Sequence, residues 1–304
     1  MRIVKGTDRI PVEHPIMLLY GQPGIGKTSL GYSAAEALLL DFDRGAHRAA
    51  NRRDTLTIET WEDVEELTSS PDTTPRALDP YRTIAVDTVG RALDVLTADI
   101  AIREPKKASG GNLSQQGWGT LKTRFRTWMS VLRSQGKDIL LIAHDREDRD
   151  GDLRVARPDI TGGSLGEVMK LADFVGYLSM NGSTRVLDFS PSDRWVGKNP
   201  AQWPPFKVPP VASAADFMAD LFDRGRAALG QISDSSATIL GVVDDWRAQI
   251  ATFTTDDEIN RAIPHVQTLA PIASAQVKHL LAKRAKALEL VWNPSTHRFE
   301  AKAA

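Results

Sequence analysis

The segment Gly21-Gln22-Pro23-Gly24-Ile25-Gly26-Lys27-Thr28 holds residue types whose spacing suits one piece of chemistry, the gripping of a polyphosphate. It fits G-x-x-x-x-G-K-[ST], follows the apolar run Ile16 to Tyr20, and precedes a helical pattern that starts near Ser29. Glycines at these places let the backbone close around phosphates, so that its amides face negative charge. Lys27 would bring a cation to the β- and γ-phosphates, and the Thr28 hydroxyl is a hard oxygen ligand for Mg²⁺. The spacing therefore predicts that Gly21, Gln22, Pro23, Gly24, Ile25, Gly26, Lys27, Thr28 and Ser29 bind ATP, with Thr28 also on the metal. The plain alternative is a glycine-rich turn. A metal held this way needs a second acid, acting through water from the end of a neighbouring buried strand. Asp87, after Thr83-Ile84-Ala85-Val86, meets that need, its alternative being a strand-end aspartate that caps a turn.

The elements that would position these groups alternate along the first two-thirds of the chain. Short apolar runs at 16–20, 37–41, 55–59, 82–87 and 138–143 are separated by helical patterns, as in a mostly parallel sheet covered by helices. Two later runs, 174–179 and 184–189, flank Asn181-Gly182, a hairpin signal that predicts an antiparallel extension. Helices are expected from Thr60 and over Ser114 to Gln135, with a surface loop at Pro71 to Pro80. Prolines at 200, 204, 205, 209 and 210 interrupt regular structure. The expected organisation is thus an α/β core over residues 1–207 and a helical module over 208–304. In that module helices are expected at 214–229, 236–253, 256–269 and 274–292, the third opened by a Thr255–Glu258 capping box.

Composition limits the function classes. With 41% hydrophobic and 25% charged residues, and no apolar run of about 20, the chain is not expected to enter a membrane. The first thirteen residues lack the pattern of a secretory signal, so a cytoplasmic location is expected. The absence of cysteine excludes disulfides and thiolate zinc clusters. The net charge of −1 hides local asymmetry: residues 103–137 carry eight basic residues against the single acid Glu104. Residues 145–159 carry six acids against four arginines.

The stretch Thr83 to Leu93 (TIAVDTVGRAL) resembles the second nucleotide motif of RecA-family recombinases. Together with Leu40 to Gly45, Gln116 to Gly119, Leu141 to His144, Ala172 to Leu178 and Val196 to Asn199, it resembles the RecA-like ATPases that bacteriophages encode as single-strand annealing proteins. The resemblance spans residues 14 to about 200 and implies a RecA-like core. It implies that Asp43 orients the attacking water, with Asp41 as runner-up. Related proteins commonly carry glutamate there, so a weak turnover is expected. His144, at the end of the fifth strand, is implied to sense the γ-phosphate, its alternative being a satisfied strand-end histidine. Lys198, or else Arg194, is implied to reach the nucleotide of the next subunit in a homo-oligomeric ring or filament.

Single-stranded DNA is the expected partner, because basic charge and aromatic stacking combine between Arg103 and Lys137. Lys106, Lys107, Trp118, Lys122 and Arg124 are the expected contacts, although Leu121, Phe125 and Trp128 fall at the spacing of a core-facing helix stripe. The acidic composition after His144 weakens phosphate contact there, and the Asp148, Asp150, Asp152 series lacks the glutamate of a calcium loop. Basic residues of the last helix and tail read either as a plain solvated helix face or as a second surface for DNA or a neighbouring subunit. The implied function is ATP-dependent annealing or pairing of single strands in recombination, with a single-stranded DNA-binding protein as a further partner and a bacterial host cell as the setting. Two other readings stay open: an oligomeric helicase-type motor, and a P-loop switch or kinase that never touches DNA.

Overall fold

Strands β1 (Ile16–Gly21), β2 (Ala37–Asp41) and β4 (Thr83–Asp87) are buried at every position. Continuous apolar runs of that kind suit strands covered on both faces. The computed structural model describes residues 3–68, 77–109, 112–150, 153–161 and 163–301. Most of the loop expected at 71–80 lies outside them, as do Gly110, Gly111, Asp152 and Lys302.

The buried strands belong to a nine-stranded sheet. Its order is β11-β10-β9-β1-β7-β4-β2-β3, where β3 is Thr55–Thr57, β7 Asp138–Asp150, β9 Phe174–Asn181, β10 Thr184–Asp188 and β11 Phe206–Val208. From β9 to β3 every pairing is parallel. Beyond β9 the sheet turns antiparallel through β10 and β11, as the Asn181-Gly182 signal requires, with Gly182 at φ 60°. The outer half of β7 leaves the sheet as a hairpin with β8 (Leu153–Pro158).

Helices cover the faces: α1 (Lys27–Gly31), α2 (Trp61–Thr68), α3 (Val89–Arg103), α4 (Gln115–Ser134) and α5 (Ser164–Leu171). Short β5 (Ala108–Ser109) and β6 (Asn112–Leu113) pair just ahead of α4. Thr88 and Ser114 cap α3 and α4 through their side-chain oxygens. The stripe Leu121, Phe125, Trp128 is core, where Trp128 meets Phe42, Trp61 and Phe125 edge-on. The mostly parallel α/β sheet with an antiparallel extension, followed by a helical region, is therefore the architecture.

Three features depart from the sequence expectation. The helices expected at 214–229 and 236–253 are one, α6 (Phe217–Thr252). Gly230 does not break it, since an internal glycine costs about 1 kcal/mol and no proline blocks the backbone bonds. The helix expected to run to Trp292 is α8 (Pro271–Ala287), begun by a proline at its first turn, and the chain then forms the hairpin β12 (Leu290–Asn293) and β13 (Arg298–Ala301). Trp292 stacks edge-on against Phe299 across that hairpin.

The third concerns organisation. One compact unit is Val12–Ala228; the other joins Met1–Pro11 to Leu229–Ala304, so the division falls inside α6 and not at the prolines. The proline-rich stretch belongs to the first unit because Trp203 and Phe206 pack with Phe174 and Phe189, and β11 pairs with β10. The second unit has its own core from α6, α7 (Asp256–Gln267) and α8, including Val243, Ile259, Val266 and Val277.

Candidate functional site

Parallel pairing sets the site. Register places His144 beside Gly21 and Asp87 beside Asp41, so the carboxyl ends of β1, β4 and β2 share one edge with His144 of β7. That edge is where open α/β sheets present ligand groups. The loop from Gly21 to Thr28 turns back over it, with Gly24 at φ 80° and Gly26 at φ 98°, values that an L side chain resists. Gly21 also lies against the carbonyl of Leu178, where a Cβ has no room. A cavity of about 610 Å³ opens around the loop, within the size range of small-molecule and cofactor sites.

Lys27 is buried beneath the loop. Its ammonium donates to the carbonyls of Gly21 and Gln22, both at 2.8 Å, and to His144 Nδ1 at 3.3 Å. Burial brings its pKa down from 10.5 to about 8, with Asp87, Asp145 and Asp43 pulling the other way. Thr28 donates its hydroxyl to Asp87 Oδ2 at 2.6 Å. Burial pushes the Asp87 carboxyl up, the bond from Thr28 opposes that, and Asp43 and Asp41 reinforce it.

The two acids at and just beyond the end of β2 have separate tasks. Asp41 is buried and accepts from the amides of Gly45 at 3.0 Å and Ala46 at 2.9 Å, so both its oxygens build the turn. Asp43 lines the cavity, with Oδ2 3.5 Å from His144 Nε2 and Oδ1 3.5 Å from Arg91 Nε. Burial works to raise the Asp43 carboxyl, but hydrogen bonds from His144 and Thr88, with the charge of Arg91, hold it below the ordinary range. Since Lys27 can only donate to Nδ1, His144 bonded in this way carries its proton on Nε2, facing Asp43.

The cavity also contains residues the motif reading missed, Arg48, Arg185 and Val211. Arg185 sits on β10, and Nη1 donates to the Ile25 carbonyl at 3.4 Å. Asn181-Gly182 signalled the hairpin but nothing local signalled that it folds onto the loop. Lys198 lies elsewhere: its backbone bridges to Val175 and its ammonium donates to the Ala172 carbonyl at 2.6 Å. Arg194 is exposed.

Much of the basic charge of residues 103–137 is paired within the chain. Arg124 meets Asp99 and Glu65 at 2.5 and 2.7 Å, and Arg103 meets Asp99 and Glu65 as well. Lys107 pairs with Glu104, Arg126 with Glu167 and Arg133 with Asp173. Lys137 is buried on the carbonyls of Leu78 and Tyr81. Trp118 is half-buried against the core. Lys106 and Lys122 form no ion pair among the described residues, so of the five expected contacts these two keep free charge.

The geometry suits a magnesium nucleotide. Among the described residues no three His, Cys, Asp or Glu side chains converge as a metal cage. The Thr28–Asp87 pair would hold Mg²⁺ only together with phosphate oxygens and water, the usual habit of that ion. Among the described residues no helix is long and apolar enough to cross a membrane.

Residues 13–201 match the profile of a family described as AAA domain. No curated protein matches the sequence. Among solved structures, the flagellar accessory protein FlaH from Methanocaldococcus jannaschii is similar at 12% identity and a TM-score of 0.29, over 58% of this chain and 77% of that chain.

Proposed function

Because the chain belongs to the family described as AAA domain, we propose that it binds ATP with Mg²⁺, hydrolyses it, and uses the cycle to engage single-stranded DNA. The observation that carries the nucleotide part is the convergence in one cavity of the loop at 21–28, the Thr28–Asp87 pair at 2.6 Å, and Asp43 with His144. Bound Mg²⁺ would neutralise phosphate charge that develops in the transition state. Lys27 turns its ammonium from the Gly21 and Gln22 carbonyls to the β- and γ-phosphates. Asp43 orients a water in line with the γ-phosphate and accepts its proton, while Arg91 and His144 fix the carboxylate. When Lys27 moves to phosphate, His144 Nδ1 loses its donor, which makes His144 the group that reports occupancy to β7.

The DNA part is supported by the resemblance to phage single-strand annealing proteins and by the free charges of Lys122 on α4 and of Lys106 in the turn after α3. In this reading an oligomer of the chain, with ATP bound, promotes annealing or pairing of single strands. The test is binding of fluorescent single-stranded DNA at two salt concentrations, with and without Mg-ATP, alongside phosphate release. Mg-dependent phosphate release and nucleotide-enhanced, salt-sensitive DNA binding are expected. ATP turnover with no DNA binding in any condition would leave a P-loop switch or kinase; no nucleotide binding would overturn the reading entirely.

A further inference from the structure

Arg185 has no counterpart in the loop motif, yet its neighbours belong to the nucleotide site. From β10 its guanidinium donates through Nη1 to the Ile25 carbonyl at 3.4 Å and through Nη2 to the Pro209 carbonyl. It lies so close to Gly26 that a Cβ there would collide with it. It lines the loop cavity together with Val211, two residues beyond Pro209. The guanidinium has five N–H donors, and these two bonds go to neutral carbonyl oxygens. No carboxylate pairs with it among the described residues. A half-buried cation without a counter-ion gains from an anion placed beside it, and a planar fork is suited to two phosphate oxygens at once.

We propose that Arg185 is a phosphate-contacting residue supplied in cis by the β9–β10 hairpin, binding the α- and β-phosphates where they pass Ile25 and Gly26. The proposal rests on the nucleotide reading above and adds a second cation to it, from a strand on the other side of β1 from β2, which leads to Asp43. Lys27 serves the β- and γ-phosphates from beneath the loop, and Arg185 serves the α- and β-phosphates from the sheet extension. One consequence is mechanical: phosphate that recruits the guanidinium competes with the Ile25 and Pro209 carbonyls, so occupancy is felt by the segment leading into α6.

The experiment is calorimetric titration of the full chain and of R185Q, R185K and K27A with Mg-ADP, AMP and adenosine, with each variant's melting recorded without ligand. R185Q is expected to lose roughly tenfold in ADP affinity, the worth of one charge-assisted contact, while adenosine binding is unchanged. R185K, which keeps the charge but loses the fork, is expected to lose about threefold or more in ADP affinity, less than R185Q, with adenosine binding again unchanged. ADP affinity in R185Q equal to the parent, or an equal loss for adenosine, would overturn the proposal and leave Arg185 as a latch for the hairpin. If R185Q does not fold, R185K decides: a loss for adenosine as large as that for ADP overturns it. A parent chain that binds no ADP, or a K27A variant that binds as the parent does, would instead overturn the loop assignment itself.

Discussion

Lys27 has two sets of partners for one ammonium, the Gly21 and Gln22 carbonyls in the free chain and phosphate oxygens in the proposed complex. Burial holds its folded pKa near 8, below the 10.5 of an exposed lysine. The unfolded chain therefore binds more protons between those values, and the free protein gains stability as pH rises from about 8 to 10.5. Phosphate works against burial, so nucleotide binding at about pH 8.5 should take up a proton at Lys27 and weaken as pH rises further. Titration of Mg-ADP in two buffers of different ionisation heat measures that uptake; equal heats in both would contradict it. Asp43→Asn keeps shape but removes the base, so ATP turnover should fall by about 100-fold or more with ADP affinity nearly unchanged. A variant that turns over ATP as the parent does would remove Asp43 from the chemistry. At this scale the course of the loop between β1 and α1 and the place of Asp87 at the end of β4 were legible, because each is written within a few consecutive residues. The resemblance ranked Asp43 above Asp41, but the residues alone do not, because Asp41 ends the strand that Asp43 follows and only the turn tells which carboxylate is spent on amides. Arg185, 160 residues from Ile25, gave no local signal at all.

The elements carry the alignment of these groups. Parallel register brings Gly21, His144, Asp87 and Asp41 to one edge, and the turn after β2 then decides where Asp43 stands. Asp41→Ala would strip two amides of a charged acceptor in a partly buried turn. It should cost roughly 2 kcal/mol of stability in denaturant unfolding. It should also lower hydrolysis more than nucleotide affinity, since the loop at 21–28 is untouched; unchanged turnover would show that the turn does not position Asp43. The strands and their order of types were readable because burial on both faces leaves apolar runs. The lengths of α6 and α8 were not: a glycine and a few small polar residues resemble a break, and the β12–β13 hairpin has an apolar pattern that also fits the end of a helix. Ion pairing was legible only where it is local: Asp99 lies one helical turn before Arg103 on α3, whereas Glu65, which meets Arg103 and Arg124, lies on α2, and Asp99 reaches Arg124 across 25 residues of sequence.

Across the whole molecule, every residue assigned to the nucleotide lies within Val12–Ala228, and that unit holds the sheet, its covering helices and the aromatic cluster around Phe174. The second unit closes around a core of its own, and its α7 begins with a capping box between Thr255 and Glu258. Two outcomes follow from that separation. Thr255→Ala should cost about 1 kcal/mol of stability, the usual worth of an N-cap, and leave Mg-ADP affinity as in the parent. A chain limited to residues 12–228 should fold and keep nucleotide-dependent stabilisation, because ligand that binds the folded state raises the melting temperature wherever its site is intact. Melting followed by circular dichroism, with and without Mg-ADP, checks both. A fragment that folds but gains nothing from Mg-ADP would mean that the nucleotide site draws on residues beyond 228, and a loss of affinity in Thr255→Ala would point to coupling between the units.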